Sequence, residues 1–221
     1  KQILEQVEER NDIKKAVAAL PLEELVKVST FDSIDKKIIK MMLTETENSN
    51  FVPEYILNMI YQRKSESYNF IKHKSEYNLI EAALQIMQMI KEIKFDATNA
   101  ATVFKNYITK YYKVDSLYRK FYYEYEKVAD KEEFENIQSK IEIEYNNNYN
   151  RYLSEHWELL IEKEKSEEFK LFGVLNQNNF YEKEIEPFVK KKNRIFVVIS
   201  DALRYEAGVE TAERLAKEAS E

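Results

Sequence analysis

The sequence predicts a mainly α fold, in which a helical-bundle-like region gives way near its end to the first β-α unit of an α/β domain. Three observations predict it. Only two glycines and three prolines occur in 221 residues, against about 7% and 5% in average usage, so turns are scarce and helix must dominate. Apolar residues recur at helical spacing in one segment after another up to residue 188. Then Ile195, Phe196, Val197, Val198 and Ile199 form an unbroken apolar run behind the charged stretch Lys190 to Arg194, the pattern of a strand buried on both faces in a parallel sheet. The predicted division is 1–188, all helical with a subdivision near 95–100, and 189–221, the truncated start of an α/β domain.

Composition narrows the function classes. With 44% apolar and 13% aromatic residues there is ample material for a core, and sixteen tyrosines and twelve phenylalanines against one tryptophan point to aromatic packing between helices. A net charge of −6, from 34 basic and 40 acidic residues interspersed, argues against a dedicated nucleic-acid or anionic-membrane surface. No apolar run approaches the roughly 18 residues of a membrane span. The absence of cysteine excludes a disulfide framework or thiolate metal site and suggests a cytoplasmic protein.

Taken in order, the first helix is predicted from Lys1 to about Ala19, with Ile3, Leu4 and Val7 on one face. It stops near Pro21, which suits the first turn of a second helix, Leu22 to Val28. Thr30, Asp32 and Ser33 are N-cap candidates for a third, carrying Ile34, Ile38, Ile39 and Met42. Thr44 to Asn50 reads as a polar loop. Pro53 then opens a helix with Tyr55, Ile56, Met59 and Ile60 inward. A helix from near Ser75 carries Leu79, Ile80, Ala83, Leu84, Ile86, Met87 and Ile90; so broad an apolar surface predicts neighbours on more than one side. Met87 and Met89 read as gap-filling core.

Phe95 to Asn99 is a predicted break, with helix resuming at Ala100. Tyr107 to Tyr125 is the most aromatic stretch. Its tyrosines interleave with Lys110, Lys113, Arg119 and Lys120, as in a platform for single-stranded nucleic acid. Packing of the rings against neighbouring helices is favoured, because Asp115, Glu124 and Glu126 dilute the positive field. Direct nucleic-acid binding is therefore not expected. A helical pair follows, Glu133 to Tyr145 and Tyr149 to Ile161, with an irregularity at Asn146 to Asn148. His156, more than 80 residues from His73, the other histidine, lacks a second ligand at helical spacing, which argues against a histidine metal site. Glu182, Glu184 and Glu186 do not share one helical face and read as solvated. Pro187 perturbs or ends their helix.

Asp201 closes the predicted strand. Behind it, Tyr205, Val209, Ala212 and Ala216 fall at i, i+4, i+7 and i+11 on one face of a helix. An aspartate there is either an N-cap or, since ligands of open α/β sheets bind outside the carboxyl ends of the strands, a hard oxygen ligand for a divalent metal. The string VVISDALRYE, Val197 to Glu206, resembles the signature of the PglZ domain, a member of the alkaline phosphatase-like superfamily found in BREX phage-defence systems. YYKVDSLYRKFY, IEIEYNNNYNRYLSEHW and NQNNFYEKEIEPF resemble the helical region that precedes that domain. The resemblance runs over most of the chain from about Tyr107, more weakly before it.

That resemblance implies a metal-dependent phosphatase or phosphodiesterase working with other BREX proteins, including a DNA methyltransferase. Asp201 is the position matching the superfamily's aspartate that binds one of two divalent metal ions, zinc being the expected metal. A Thr or Ser nucleophile and further Asp and His ligands are implied as well, but no residue of this chain is nominated for them. Arg204 and Glu206 also match the signature and read as structural: an anchor at the helix start and a favourable first-turn charge. The start of the chain inside a helix without an initiator Met, and its close just past one β-α unit, suggest an internal piece of a longer protein, inactive alone. The competing expectation is a non-catalytic scaffold or docking protein with a degenerate phosphatase fold.

Overall fold

The computed structural model describes residues 6–8, 10–48, 51–67, 69–164, 171 and 173–220. Helix dominates throughout, as the shortage of glycine and proline requires. In chain order the α-helices are α1 (Ile13–Ala16), α2 (Leu22–Leu25), α3 (Asp32–Glu47), α4 (Pro53–Glu66), α5 (Lys74–Glu92), α6 (Ala100–Asn106) and α7 (Tyr112–Tyr125). They continue as α8 (Glu135–Ile143), α9 (Arg151–Lys163), α10 (Glu186–Lys190) and α11 (Tyr205–Glu218). Three π-helical turns, Tyr107–Tyr111, Glu144–Asn150 and Tyr181–Ile185, lead into α7, α9 and α10. Two compact units result, one of Lys1–Ile93 with Leu117–Asn150, the other of Lys94–Ser116 with Arg151–Glu221.

The first unit is organised around α5. Tyr77, Leu79, Ile80, Ala82, Ala83, Leu84, Ile86 and Ile90 are all buried, and α3, α4 and α8 pack against it, as its broad apolar surface predicts. Each fully buried Leu or Ile contributes roughly 1.5–3 kcal/mol. Among these apolar layers lies a buried ion pair. Arg63 on α4 donates from Nε and Nη2 to Asp35 Oδ1 at 3.1 and 2.6 Å, and from Nη1 to the carbonyls of Val26 and Val28 at 3.1 and 2.7 Å. Those carbonyls lie just past the end of α2, where the helix leaves acceptors unfilled. Tyr77 donates to the same Asp35 oxygen at 2.6 Å. Burial, with the Asp35 carboxylate beside it, holds the Tyr77 phenol well above the ordinary tyrosine range, so it remains a donor.

Elsewhere in this unit α7 and α8 are joined by a polar aromatic cluster. Tyr118 and Tyr122 both donate to Glu142 Oε1, and Tyr118 stacks on Tyr145 with ring centroids 3.7 Å apart. The aromatic stretch thus uses these rings for packing between helices. The second unit has a smaller core. Ala100, Val103 and Leu160 are buried, with Ala97, Leu153, Trp157, Ile161 and Leu171 against them. Asn99 caps α6 by accepting from the Thr102 amide at 2.8 Å, and Glu164 accepts from the Ala100 amide at 2.8 Å.

Several expectations are revised. The predicted first helix is interrupted, because Asp12 takes the left-handed conformation (φ 47°) just before α1, one that Asn and Asp tolerate better than most residues; Lys1 to Glu5 lie outside the described residues. The second helix is one turn, ending at Leu25. Thr44 to Glu47 continue α3 rather than forming a loop. The Thr44 and Thr46 hydroxyls donate to Lys40 O and Leu43 O within the helix, and Lys140 reaches the Thr46 carbonyl at 2.7 Å. Tyr55 turns outward and donates to Glu23. The irregularity at Asn146–Asn148 is the π turn between α8 and α9, and a π turn likewise precedes Pro187. Finally, residues 195–199 form no strand: among the described residues no strand is present. A strand exists only through its ladder to a neighbour, and the described chain supplies none.

Candidate functional site

The segment from Arg194 to Glu206 differs from the rest of the chain in what it leaves exposed. Phe196, Val198 and Ile199 are 87, 89 and 92% exposed, an arrangement that packing within the chain does not explain. Asp201 follows in a turn, and Ala202 beside it adopts the left-handed conformation (φ 54°). That turn delays the helix. Arg204 is the N-cap residue of α11, with no side-chain capping hydrogen bond, so Asp201 stands too early to cap it. Its side chain is exposed and has no hydrogen-bond or ion-pair partner among the described residues.

As a donor set, one open carboxylate fits one coordination position of a hard divalent cation. It does not make a complete site. Among the described residues no group of three His, Asp or Glu side chains is gathered closely enough to hold a metal ion. The two histidines serve elsewhere. His156 Nε2 lies 2.8 Å from the Ala97 carbonyl. His73, in the first unit, has Nε2 at 2.8 Å from Asp32 Oδ1 and Nδ1 at 3.5 Å from Glu76 Oε1. Burial lowers its pKa, but bonding to Glu76 and Asp32 and their charges more than offset this and raise it above the usual histidine value. Glu182 and Glu184 are exposed, while Glu186 pairs with Lys190 at 2.9 Å.

The helix behind Asp201 is docked through its first turn. Tyr205 donates to the Ile108 carbonyl at 3.1 Å, and its ring contacts those of Tyr107 and Tyr112. Glu206 falls in the first turn of this helix, as expected of a favourable first-turn charge. It is 2% exposed, and its Oε1 has no hydrogen-bond partner among the described residues. Sequence reasoning placed Tyr205 on one face of this helix with Val209, Ala212 and Ala216 but missed its anchoring bond. The available signal was the tyrosine-rich stretch, which needs aromatic partners from some other element. In the same unit, Val103, Phe104, Tyr107, Leu153, Ser154 and Trp157 line a cavity of about 270 Å³. No helix among the described residues is long and apolar enough to cross a membrane.

Comparison with known proteins places this geometry in context. Residues 180–221 match the BREX system PglZ alkaline phosphatase-like domain. The chain is 30% identical to the alkaline phosphatase-like protein PglZ of Bacillus cereus (strain H3081.97) over 211 residues, which is 95% of this chain and 25% of that protein. It is 27% identical to the alkaline phosphatase-like protein BrxZ of Escherichia coli O9:H4 (strain HS) over 206 residues, 87% of this chain and 24% of that protein. The chain therefore spans about a quarter of the length of these curated relatives. No solved structure matches it significantly.

Proposed function

Because the chain belongs to the PglZ family, we propose that it is part of a metal-dependent phosphatase or phosphodiesterase acting in BREX-type phage defence. The observation that carries this reading is Asp201. It lies inside the matched residues 180–221, at the position that the resemblance assigns to a metal-binding aspartate, and the fold leaves its carboxylate open to solvent with no partner among the described residues. Asp201 supplies one hard oxygen ligand to a divalent cation, zinc being the first to test. Such an ion, when bound, polarises phosphoryl oxygen as a Lewis acid. The apolar run 195–199, which forms no strand among the described residues, is suited to become one in the α/β domain that begins near residue 189, with its side chains buried on both faces once flanking strands are present. Residues 1–188 position that domain or dock other BREX proteins in the cytoplasm, a DNA methyltransferase among them. With Asp201 as the one metal ligand nominated among the described residues, the chain alone is expected to be inactive.

The test is metal content and hydrolysis of a simple phosphodiester by the full-length protein and its Asp201→Ala variant. Metal-dependent turnover that falls by about 100-fold or more in the variant, as expected when a metal site is dismantled, supports the enzyme. A full-length protein without bound metal, indistinguishable from its variant, supports instead a scaffold in phosphatase form.

A further inference from the structure

Only three residues separate Asp201 from Tyr205, so the carboxylate lies within about 14 Å of chain from that tyrosine. Tyr205 is held on three sides. Its ring meets Tyr112 edge-on (centroids 5.4 Å apart, 82° between planes) and lies tilted against Tyr107 (6.0 Å, 54°), while its hydroxyl donates to Ile108 O. All three partners belong to the π-helical turn Tyr107–Tyr111 or to the residue that follows it. In a regular α-helix each interior carbonyl accepts from the amide four residues on. Where the ladder widens to five, its register changes and a carbonyl becomes free for a side-chain donor. The Ile108 carbonyl that accepts from Tyr205 lies within this π turn.

The short link between anchor and carboxylate is itself constrained. Ala202 occupies the left-handed region, and Leu203 folds back over the helix, its Cδ2 3.6 Å from where a Cβ on Gly208 would stand. Glu206, the next residue after the anchor, is buried. Tyr205 itself remains 42% exposed. It therefore adds little to a core, and its contacts do more to orient the start of α11.

We propose that Tyr205 is a positioning residue: by seating α11 on the π-helical turn of the tyrosine-rich helix, it fixes where Asp201 stands. Its value to catalysis rests on the metal-ligand reading above; the positional claim does not. The chain contains no cysteine, so spin labels at Asp201→Cys and at the exposed Lys113→Cys report their separation without interference. The expected result is one narrow distance distribution with Tyr205. Tyr205→Phe, which keeps the ring but loses the hydroxyl, should broaden it modestly, and Tyr205→Ala at least about twofold. A distribution unchanged in Tyr205→Ala overturns the proposal.

A second label pair, Lys36→Cys and Lys91→Cys in the first unit, stays narrow if the chain has folded. Where Tyr205→Ala broadens that pair too, Tyr205→Phe decides: broadening confined to the Asp201 pair supports the anchor, and none refutes it. In the full-length protein, the zinc concentration for half-saturation should rise about three- to tenfold in Tyr205→Phe, the range of one lost hydrogen bond, with kcat at saturating zinc retained. If Asp201→Ala leaves zinc binding untouched while the label distances respond to Tyr205, the metal-ligand reading fails and the anchor stands.

Discussion

Asp35 and Asp201 share a side chain and little else. Asp35 is fully buried and accepts from Arg63 and Tyr77, whereas Asp201 is exposed on a turn and engaged by no side chain among the described residues. Charge inside a protein persists only where partners replace the lost water. An aspartate surrounded in this way is committed to the fold, and one left open retains its capacity to bind a ligand. The same contrast holds for apolar residues: Leu84 is wholly buried within the first unit, and Ile199 is 92% exposed.

The largest expected effect comes from breaking the Asp35 side of this contrast. Arg63→Met strands a buried carboxylate and should cost about 3–5 kcal/mol in urea denaturation, while the double change Asp35→Leu with Arg63→Met recovers most of the loss. Asp201→Ala should stay within about 0.5 kcal/mol of the parent. Stability loss of equal size at both aspartates would erase the distinction. Next come the apolar residues. Leu84→Ala should cost about 2–5 kcal/mol by opening a cavity, and Ile199→Ala almost nothing, so a large loss at Ile199 would reveal packing around 195–199.

A smaller effect is expected at the tyrosine cluster. Burial raises the pKa of Glu142, but bonds from Tyr118 and Tyr122 outweigh it and hold the carboxyl below its ordinary value. Tyr118→Phe removes one of those bonds and should cost about 1 kcal/mol, read as a lowered urea midpoint at unchanged slope. The smallest effect concerns His73, which faces Asp32 and Glu76, with Lys72 also on Asp32 at 2.6 Å. Its folded pKa is raised, so its contribution is complete below the unfolded value of about 6.5 and is lost as pH rises through the folded value. The urea midpoint should therefore fall as pH rises from 6 through that value. His73→Gln should flatten this slope, and an unchanged slope would refute the assignment.

Helix content was legible because glycine and proline were so few, and α5 because its apolar residues cover most of its circumference. Asp201 was legible as a residue to examine, since it follows an apolar run and lies within a family signature. The break at Asp12 escaped because local left-handed geometry leaves no hydrophobic period. The continuation of α3 through Thr46 escaped because Lys140, 94 residues away, helps to satisfy it. The burial of Glu206 and the seat of Tyr205 escaped for the same reason.

The sequence by itself determined the helical class, the central place of α5, the irregularity at Asn146–Asn148 and the family, all of which follow from composition, short-range period or local signature. Tertiary structure alone decided that Arg63 closes on Asp35, that Tyr205 rests on the Ile108 carbonyl, and that residues 196–199 lie exposed. A strand, a buried ion pair and an aromatic seat each require a partner distant in sequence. Local pattern can mark a residue as suited to such a partner, but only the folded chain brings the two together.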